Sequence, residues 1–385
     1  MLANSKGSFM RLQLTMAALL VVFSTSGYAQ QSSTPVATLT DAQSRAVEYL
    51  QSHYQSPEDY VAGKFKDHDI VFLGEGHLKK QELLFLQKLI PRLYREGVRN
   101  LGFEMLWSDD QPEIDRLLNA DTYDNEKALT LLFNWDPQVG WDFQEYADVL
   151  RAAWTLNHNL PRNAPRFRIV GTDMRPDWAL VKTGDNITSR PTRWNAWAGS
   201  NQIARNVWMV GVIRREFIDQ GRKALVYNGL GHTTLAVTHD QREETGLRFS
   251  AAYQLRRRFG KRITAVEMAS SATQNAALAP LISALPPDKQ LIGLDLKGTP
   301  VAEVPLPDKM AAVIVSSNQS LTLADYTADG FVQVALKPEP VTPAPGFITA
   351  ARVEESKRQG YLPNVPEITP EWILQHQQQF LPMIH

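Results

Sequence analysis

The 385-residue chain contains no cysteine. This absence excludes structural disulfides, a lipid-modified cysteine anchor, a thiol nucleophile and a Cys-x-x-Cys-His haem attachment. No serine lies in a Gly-x-Ser-x-Gly context, which disfavours a covalent acyl-enzyme formed at a nucleophile elbow. If the protein is a hydrolase, we therefore expect water to attack the substrate directly.

The chain also lacks an excess of charge of either sign. It carries 40 basic and 41 acidic side chains, for a formal net charge of −1 at pH 7. Domains that bind nucleic acids are usually strongly basic, so we expect no nucleic-acid partner. The basic cluster Arg256-Arg257-Arg258, with Lys261 and Arg262, falls at the end of a predicted helix, and we interpret it as a solvated helix end.

Long apolar runs are absent as well. The run at residues 12–23 is shorter than the roughly 20 residues that a transmembrane helix needs. Basic residues precede it, and the small residues Gly27-Tyr28-Ala29 follow it, as in a secretory signal peptide. We predict that residues 1–29 are a signal peptide cleaved after Ala29 and that residues 30–39 are a disordered linker. The mature protein would then be periplasmic or secreted, with no stable membrane anchor.

Four apolar, partly β-branched segments each run into an ionisable residue. In an open parallel sheet, ligands bind outside the carboxyl ends of the strands. The ionisable side chains are therefore expected to gather in one crevice. The segments are residues 70–77 with Glu75 and His77, residues 100–105 with Glu104, residues 167–175 with Asp173 and Arg175, and residues 224–232 with His232.

Predicted helices alternate with these segments. An alternation of this kind predicts an α/β fold with a mainly parallel sheet and helices on both faces. Insertions at 106–141 and 176–200 would overhang the carboxyl edge of the strands as lids. The helices are predicted at 78–96, 142–158, 201–219 and in the region 246–262, and further strands at 263–268, 291–296, 311–315 and 331–336.

Local signals refine this organisation. Thr40-Asp41 is a plausible helix cap, and Gly97 is placed to end the helix at 78–96, which Pro91 should kink or divide. Asp142 and Glu145 resemble a capping box at the start of the helix at 142–158. We assign residues 40–336 to the α/β domain and residues 337–385 to a proline-rich linker and an accessory tail.

Glu75 and His77 are separated by one glycine, so in strand geometry their side chains would point to the same side. A carboxylate beside an imidazole can raise its pKa, fix its tautomer or share a metal ion with it. The alternative is an ordinary structural hydrogen bond. Glu104 favours the functional interpretation, because a buried acid needs a partner, and the Glu75/His77 pair is the nearest predicted one.

Three further residues are candidates for substrate binding. Asp173 and Arg175 either form a local ion pair or orient a substrate. Glycines beside His232 let the backbone approach a ligand closely. Trp107 is one of several tryptophans that could line an apolar cleft, although core packing is the alternative for such residues.

Several of these motifs resemble those of the superfamily that joins the haem-binding uptake protein ChaN, the Tiki metalloproteases and the erythromycin esterases. The resemblance covers roughly residues 66–236, with a looser match to about 336. It is carried by Gly74-Glu75-Gly76-His77, by Gly102-Phe103-Glu104, by Trp141 with Tyr146, by Arg205-Asn206-Val207-Trp208-Met209, and by Gly229-Leu230-Gly231-His232.

The resemblance implies three alternatives. In the esterase-like branch, His77 would activate water, Glu75 and Glu104 would position it, and His232 would bind substrate or developing charge. In the Tiki-like branch, His77, Glu104 and His232 would hold a divalent metal. In the ChaN-like branch, the cleft would bind haem or iron without turnover. The match also makes Arg205 a candidate for substrate binding. One departure concerns the esterases, which have Arg-Asp where this chain has Arg205-Asn206.

We therefore expect a hydrolase that acts on an ester or amide of a small molecule or peptide. The base would be neutral His77 or a metal-bound hydroxide, with His232 and Arg175 stabilising the oxyanion. The alternative is a haem- or iron-binding protein of the ChaN type.

Overall fold

A computed structural model describes the structure of most of the chain after residue 37. The predicted signal peptide, most of the predicted linker at 30–39 and the predicted strand at 311–315 lie outside the described residues. The described residues are 38–136, 140–187, 189, 196, 202–239, 247–307 and 321–381.

The centre of the molecule is a seven-stranded sheet in the order β3-β2-β4-β1-β7-β9-β8. Every neighbouring pair is parallel except β8 with β9. The predicted mainly parallel α/β fold is confirmed. The strands are β1 (Ile70–Glu75), β2 (Asn100–Trp107), β3 (Arg168–Asp173), β4 (Ala224–Gly229), β7 (Ile263–Ala269), β8 (Gly293–Asp295) and β9 (Gly330–Gln333), while β5 (Thr238–His239) and β6 (Leu247–Arg248) form a separate hairpin.

Helices of the described residues cover both faces of this sheet. No described helix is long and apolar enough to cross a membrane. The helices are α1 (Asp41–Ser52), α2 (Pro57–Lys64), α3 (Lys80–Arg95), α4 (Gln111–Asn119), α5 (Asn125–Phe133), α6 (Gln144–Asn159), α7 (Gln202–Ile213), α8 (Leu230–Thr233), α9 (Ala251–Phe259), α10 (Ala279–Ala284), α11 (Ala350–Arg358) and α12 (Pro370–Phe380).

The side chains of β1 alternate between two hydrophobic cores. Val71 and Leu73 pack in a core with α3, α4, α5 and α6. Ile70 and Phe72 point the other way and pack with α7 and α9. Because successive side chains of a strand point to opposite faces, a continuous apolar run is stable only where helices cover both faces.

Helix α3 shows where packing outweighs local sequence. Pro91 lies inside the helix but does not divide it, and the helix runs unbroken from Lys80 to Arg95. Proline removes one backbone hydrogen bond, yet Leu89, Ile90 and Leu93 are fully buried around it. Their burial holds the helix together. Gly97 follows with φ of +80°, so the predicted helix end is confirmed.

The capping box predicted at Asp142 and Glu145 is wrong. Helix α6 begins at Gln144, with Phe143 as its N-cap and no capping side chain. The Asp142 carboxylate instead accepts a hydrogen bond from Gln377 (2.8 Å), and Glu145 accepts one from the backbone N–H of Thr342 (2.7 Å). Partners distant in sequence occupy both carboxylates. At α1, by contrast, the predicted Thr40 cap is confirmed.

The proline-rich segment after residue 337 is tied to the sheet-bearing part of the chain. Its residues 339–344, here called the strap, hydrogen-bond to the start of α3 and to the start of α6. Val341 donates to the carbonyl of Leu78 (3.1 Å), and Gln144 donates to the carbonyl of Thr342 (2.9 Å). Phe347 and Ile373 then pack in the same core as Leu73. The tail is therefore part of the main hydrophobic core.

Candidate functional site

The strand order brings the predicted site residues to one edge of the sheet. β4 lies between β2 and β1, and the register pairs Glu75 with Gly229. The carboxyl ends of three neighbouring strands thus carry Glu104, Glu75 with His77, and the turn that leads to His232. The predicted convergence of these four side chains is observed.

Glu75 is buried beneath His77 and holds its ring. The Nδ1 atom of His77 lies 2.6 Å from Oε1 of Glu75. Tyr146 and Tyr227 donate their hydroxyls to the same carboxylate, at 3.0 and 2.5 Å. The side chain of Glu75 is fully buried, whereas that of His77 is 40% exposed. With Nδ1 engaged, Nε2 is the ring nitrogen left for a substrate.

The charges around His77 favour its protonated form. Burial lowers the pKa of His77, but the hydrogen bond and charge of Glu75, with the charge of Glu104, outweigh it and raise the pKa to about 9. This differs from the neutral imidazole expected near pH 7. In a medium of low polarity, a fully buried carboxylate attracts a nearby proton strongly. His77 is therefore an imidazolium at neutral pH and a strong base once deprotonated.

The backbone around His77 is constrained on both sides. Leu78 has φ of +68°, a left-handed conformation that is unusual for a leucine. Its N–H donates to the hydroxyl of Tyr146 (3.1 Å), and its carbonyl accepts the N–H of Val341 in the strap. Tyr146 thus joins Glu75 to the residue that follows His77. Hydrogen bonds on both sides of Leu78 thus hold its backbone in this conformation. Backbone strain that is held by surrounding contacts is characteristic of functional sites.

Glu104 belongs to a second cluster, built around Arg205. Arg205 donates to Glu104 (2.9 Å) and through Nε to Asp173 (3.1 Å). Trp135 donates its indole N–H to Asp173 (3.0 Å), and the backbone N–H of Gly229 donates to Glu104 (2.7 Å). The predicted partner of Glu104 was the Glu75/His77 pair, but its direct partners are Arg205, Gly229 and His232.

This second cluster is a buried ion network. Both carboxylates are essentially unexposed, and the Arg205 side chain is only 11% exposed. Burial opposes ionisation of Glu104, but His232 and Arg205 outweigh it and hold the pKa of Glu104 well below its usual range. Asp173 and Glu104 likewise raise the pKa of Arg205. The network fixes one ionised carboxylate beside His77.

A break in strand pairing places Glu104 in this position. The register between β2 and β3 shifts between Phe103 and Trp107. A Cβ atom at Gly171 would lie 2.5 Å from the carbonyl oxygen of Trp107, so only glycine permits this close approach. Irregularities of this kind redirect side chains next to active sites.

His232 is held by Asn206. Its Nδ1 atom lies 2.7 Å from Oδ1 of Asn206, and this oxygen also accepts the backbone N–H of Ala251 (3.0 Å). Because the oxygen is an acceptor, Nδ1 must carry a proton. Nε2 lies 3.2 Å from Glu104. Burial lowers the pKa of His232 despite the charge of Glu104.

Two tryptophans form a wall beside His77. The ring of Trp141 lies 5.6 Å from the His77 ring, edge-on, and the ring of Trp135 lies 6.5 Å away. The two indoles contact each other at 4.8 Å. The buried indole N–H of Trp141 has no hydrogen-bond partner among the described residues. This wall gives the exposed side of His77 an apolar surface with one unused donor.

Arg175 and Trp107 make their main side-chain contacts with the tail. Arg175 donates to the carbonyl of Gln359 (2.8 Å) and lies 4.2 Å from the Tyr361 ring. Trp107 is 1% exposed and stacks on the same tyrosine. The alternative of a local Asp173–Arg175 ion pair is wrong for the described residues, because Asp173 contacts Arg205 and Trp135 instead. The oxyanion role of Arg175 stays a prediction. The tail contributes Tyr361 and so draws both residues into packing contacts.

Glu82 is a buried carboxylate next to the site that the sequence interpretation missed. Its carboxylate accepts the N–H of Gly76 (2.9 Å) and the hydroxyl of Ser270 (3.0 Å). Burial raises the pKa of Glu82 to about 8. It lies one turn before Leu86 on the apolar stripe of α3, and a lone acid on such a stripe was the available signal.

A divalent metal does not fit the predicted ligand set in this arrangement. No three His, Asp or Glu side chains of the described residues are placed to hold a metal ion. Arg205 and His232 approach one oxygen of Glu104, and the Gly229 N–H takes the other. The guanidinium already provides the positive charge that a metal would bring to Glu104 and Asp173.

Comparison with solved structures finds a similar fold in several proteins, among them the following two. A succinoglycan biosynthesis protein gives a TM-score of 0.54 at 12% identity, covering 80% of this chain and 100% of that chain. A Bacillus cereus protein gives 0.51 at 12% identity, covering 78% of this chain and 99% of that chain. At such low identity these likenesses concern the fold alone.

ChaN of Campylobacter jejuni, whose structure is described as showing cofacial haem binding, also matches. Its TM-score of 0.37 at 14% identity, over 54% of this chain and 84% of that chain, is too low to support a structural comparison. No curated protein matches the sequence. Residues 61–167 match the family model for haem-binding uptake, Tiki superfamily, ChaN. The resemblance that the motifs of residues 61–167 suggest is thus confirmed as a similarity to this family over those residues.

Proposed function

We propose that this protein is a hydrolase that uses His77 to activate water for attack on an ester or amide. One observation carries the proposal. The exposed imidazole of His77 rests on a buried carboxylate at 2.6 Å, next to the second, ionised carboxylate of Glu104. A base that is oriented by a carboxylate and accessible at its other nitrogen is the arrangement that proton abstraction requires.

In this proposal, the deprotonated form of His77 accepts a proton from water at Nε2. The water oxygen bonds to the carbonyl carbon, and the carbonyl π electrons move to oxygen. Protonated His77 then returns the proton to the leaving alkoxide or amine as the C–O or C–N bond breaks. Glu75 stays ionised and stabilises the imidazolium, a role that carboxylates play beside catalytic histidines.

Glu104 is proposed as the group that orients the water. A Cβ atom at Gly229 would lie 2.7 Å from Nε2 of His77 and 3.5 Å from Oε2 of Glu104. Both polar atoms therefore approach the same space above Gly229. Arg205 and His232 hold Glu104, and the unpaired indole N–H of Trp141 is a candidate donor to the substrate oxygen.

Haem binding of the ChaN type is the alternative. A bound haem needs an axial ligand, commonly His or Tyr. His77 is protonated at neutral pH, so iron would have to displace the proton from its Nε2 atom. Tyr146 and Tyr227 are buried, and burial beside Glu75 raises the pKa of both well above the usual value. None of these three side chains is in the form that ligates iron.

The test compares purified wild-type protein, His77→Gln and the matched control His158→Gln. His158 is exposed at the end of α6, outside the cluster. We expect hydrolysis within a panel of ester and amide substrates, lost in His77→Gln and retained in His158→Gln. A Soret band on haem titration that His77→Gln abolishes, without any hydrolysis, would favour the alternative.

The same experiment distinguishes the routes to an activated water. Treatment with a chelator should leave hydrolysis unchanged, because the proposed base is an imidazole. Activity that disappears with the chelator and returns with a divalent metal would instead support a metal-bound hydroxide.

We further propose that the protein is exported to the periplasm or secreted. The support is the charge and hydropathy pattern of residues 1–29. Expression of the full chain in a Gram-negative host should give a product whose amino terminus, determined by mass spectrometry, is Gln30. An uncleaved product found only in the cytoplasm would contradict this proposal.

A further inference from the structure

A basic cleft lies at the opposite edge of the sheet from His77. It has a volume of about 490 Å³. It opens at the amino ends of three strands, because Asn100 and Arg168 begin β2 and β3 and Lys223 directly precedes β4. A volume of this size is within the range of small-molecule sites.

Positive charge is concentrated in this cleft. Its lining includes Arg99, Arg166, Arg168, Arg222 and Lys223. Two carboxylates contact this set, and both do so through the same residue: Asp115 lies 3.3 Å and Glu216 2.8 Å from Arg168. The protein as a whole has a net charge of −1. The excess of positive charge here is therefore local.

The remaining four cations make no carboxylate contact among the described residues. Arg166 hydrogen-bonds to the carbonyl of Asn157, Arg222 donates to the carbonyl of Glu216 (3.3 Å), and Lys223 donates to the carbonyl of Phe65. Arg99 lies 5.8 Å from the ring of Tyr94. Carbonyl groups orient these side chains without neutralising their charge.

Three of the five side chains, Arg99, Arg166 and Arg222, are exposed, so an incoming anion can reach them. Like charges that are brought together repel each other, and a concave surface focuses their field. We propose that this cleft is a binding site for a compact phosphate-bearing polyanion, separate from the His77 site. Arginine and lysine are the side chains that recognise phosphate through charge-assisted hydrogen bonds.

The shape favours a small molecule over a nucleic acid. The described cations of this set line one cleft rather than a long track of the kind that follows a nucleic-acid backbone. The basic cluster on α9 provides a matched control. Arg257 and Arg258 are exposed like Arg99 and Arg222, but they contact aromatic rings of their own helix and do not line this cleft.

The test is calorimetric titration of the full chain with inorganic pyrophosphate. We expect saturable binding of one pyrophosphate per chain that weakens as salt rises. The double variant Arg99→Gln/Arg222→Gln should bind at least about tenfold more weakly, because it loses two charge-assisted contacts. The control Arg257→Gln/Arg258→Gln removes equal charge and should bind like the wild type.

Three results would overturn the proposal. The first is the absence of saturable pyrophosphate binding to the wild type. The second is an equal loss of affinity in both double variants, and the third is a loss of affinity in His77→Gln. The cleft variant should melt at or above the wild-type temperature, since repulsion is relieved. If it melts lower, the single variant Arg222→Gln is used instead. We then expect a smaller loss of pyrophosphate affinity, still absent from the Arg257→Gln/Arg258→Gln control.

Discussion

The Nδ1 atom of His77 lies 2.6 Å from the buried carboxylate of Glu75, and this contact sets the proton affinity of the exposed ring. Replacing the carboxylate by an amide in Glu75→Gln removes its charge but keeps its size. We expect the pKa of His77 to fall from about 9, because burial then acts with less opposition. NMR titration of the histidine ring measures this shift directly.

The Glu75/His77 pair also links folding to pH. Because the pKa of His77 is above the unfolded value of 6.5, its stabilising effect is complete below pH 6.5 and is lost as the pH rises through about 9. An unchanged His77 titration in Glu75→Gln would contradict this role of Glu75.

The Arg205 network predicts a large stability effect. Arg205→Met leaves the carboxylates of Glu104 and Asp173 buried without their main cation, and breaking such a pair costs about 3–5 kcal/mol. The exposed Arg215, which pairs with Glu216, is the matched control, and Arg215→Met should cost less than about 1 kcal/mol. Urea unfolding of both variants measures the difference. Equal effects would show that the buried network does not stabilise the fold.

Gly229 is predicted to be required for the position of His77. In Gly229→Ala, the new methyl group would lie 2.7 Å from the His77 ring, so the ring must shift. Displacing a catalytic group by about 1 Å can cost about a hundredfold in rate. Gly63→Ala is the control, because a Cβ atom there meets nothing within 4 Å. Hydrolysis that survives unchanged in Gly229→Ala would place the chemistry elsewhere.

Asn206 holds the ring of His232 through its Nδ1 atom. In Asn206→Asp, the oxygen that accepts the Nδ1 proton becomes charged, so we expect the pKa of His232 to rise above its present depressed value. This substitution replaces the NH₂ group of Asn206 by an oxygen. That NH₂ group has no hydrogen-bond partner among the described residues, so few contacts are lost. NMR titration of His232 tests this. A pKa that stays depressed would indicate that burial alone controls the ring.

Much of the site could be predicted because it depends on strand ends. The apolar runs that carry Glu75, Glu104 and Asp173 near their carboxyl ends form buried parallel strands, and the carboxyl ends of such strands share one edge. The same logic located His232. In these places, local sequence and the global fold favour the same arrangement.

The remaining features depend on contacts between distant segments. Tyr361 draws Arg175 and Trp107 into packing, and Thr342 takes the carboxylate of Glu145 that was predicted to cap α6. Asp173 and Arg205 were both identified, but nothing in the sequence indicated that they pair. Such choices among partners are made by tertiary packing, which composition and periodicity do not encode.

The pH dependence of kcat/KM for a hydrolysed ester tests the central claim most directly. If deprotonated His77 is the base, kcat/KM should rise with pH and level off above about 9, and Glu75→Gln should move the midpoint to lower pH. If kcat/KM already levels off below pH 7, or if its midpoint is the same in Glu75→Gln as in the wild type, the account is contradicted.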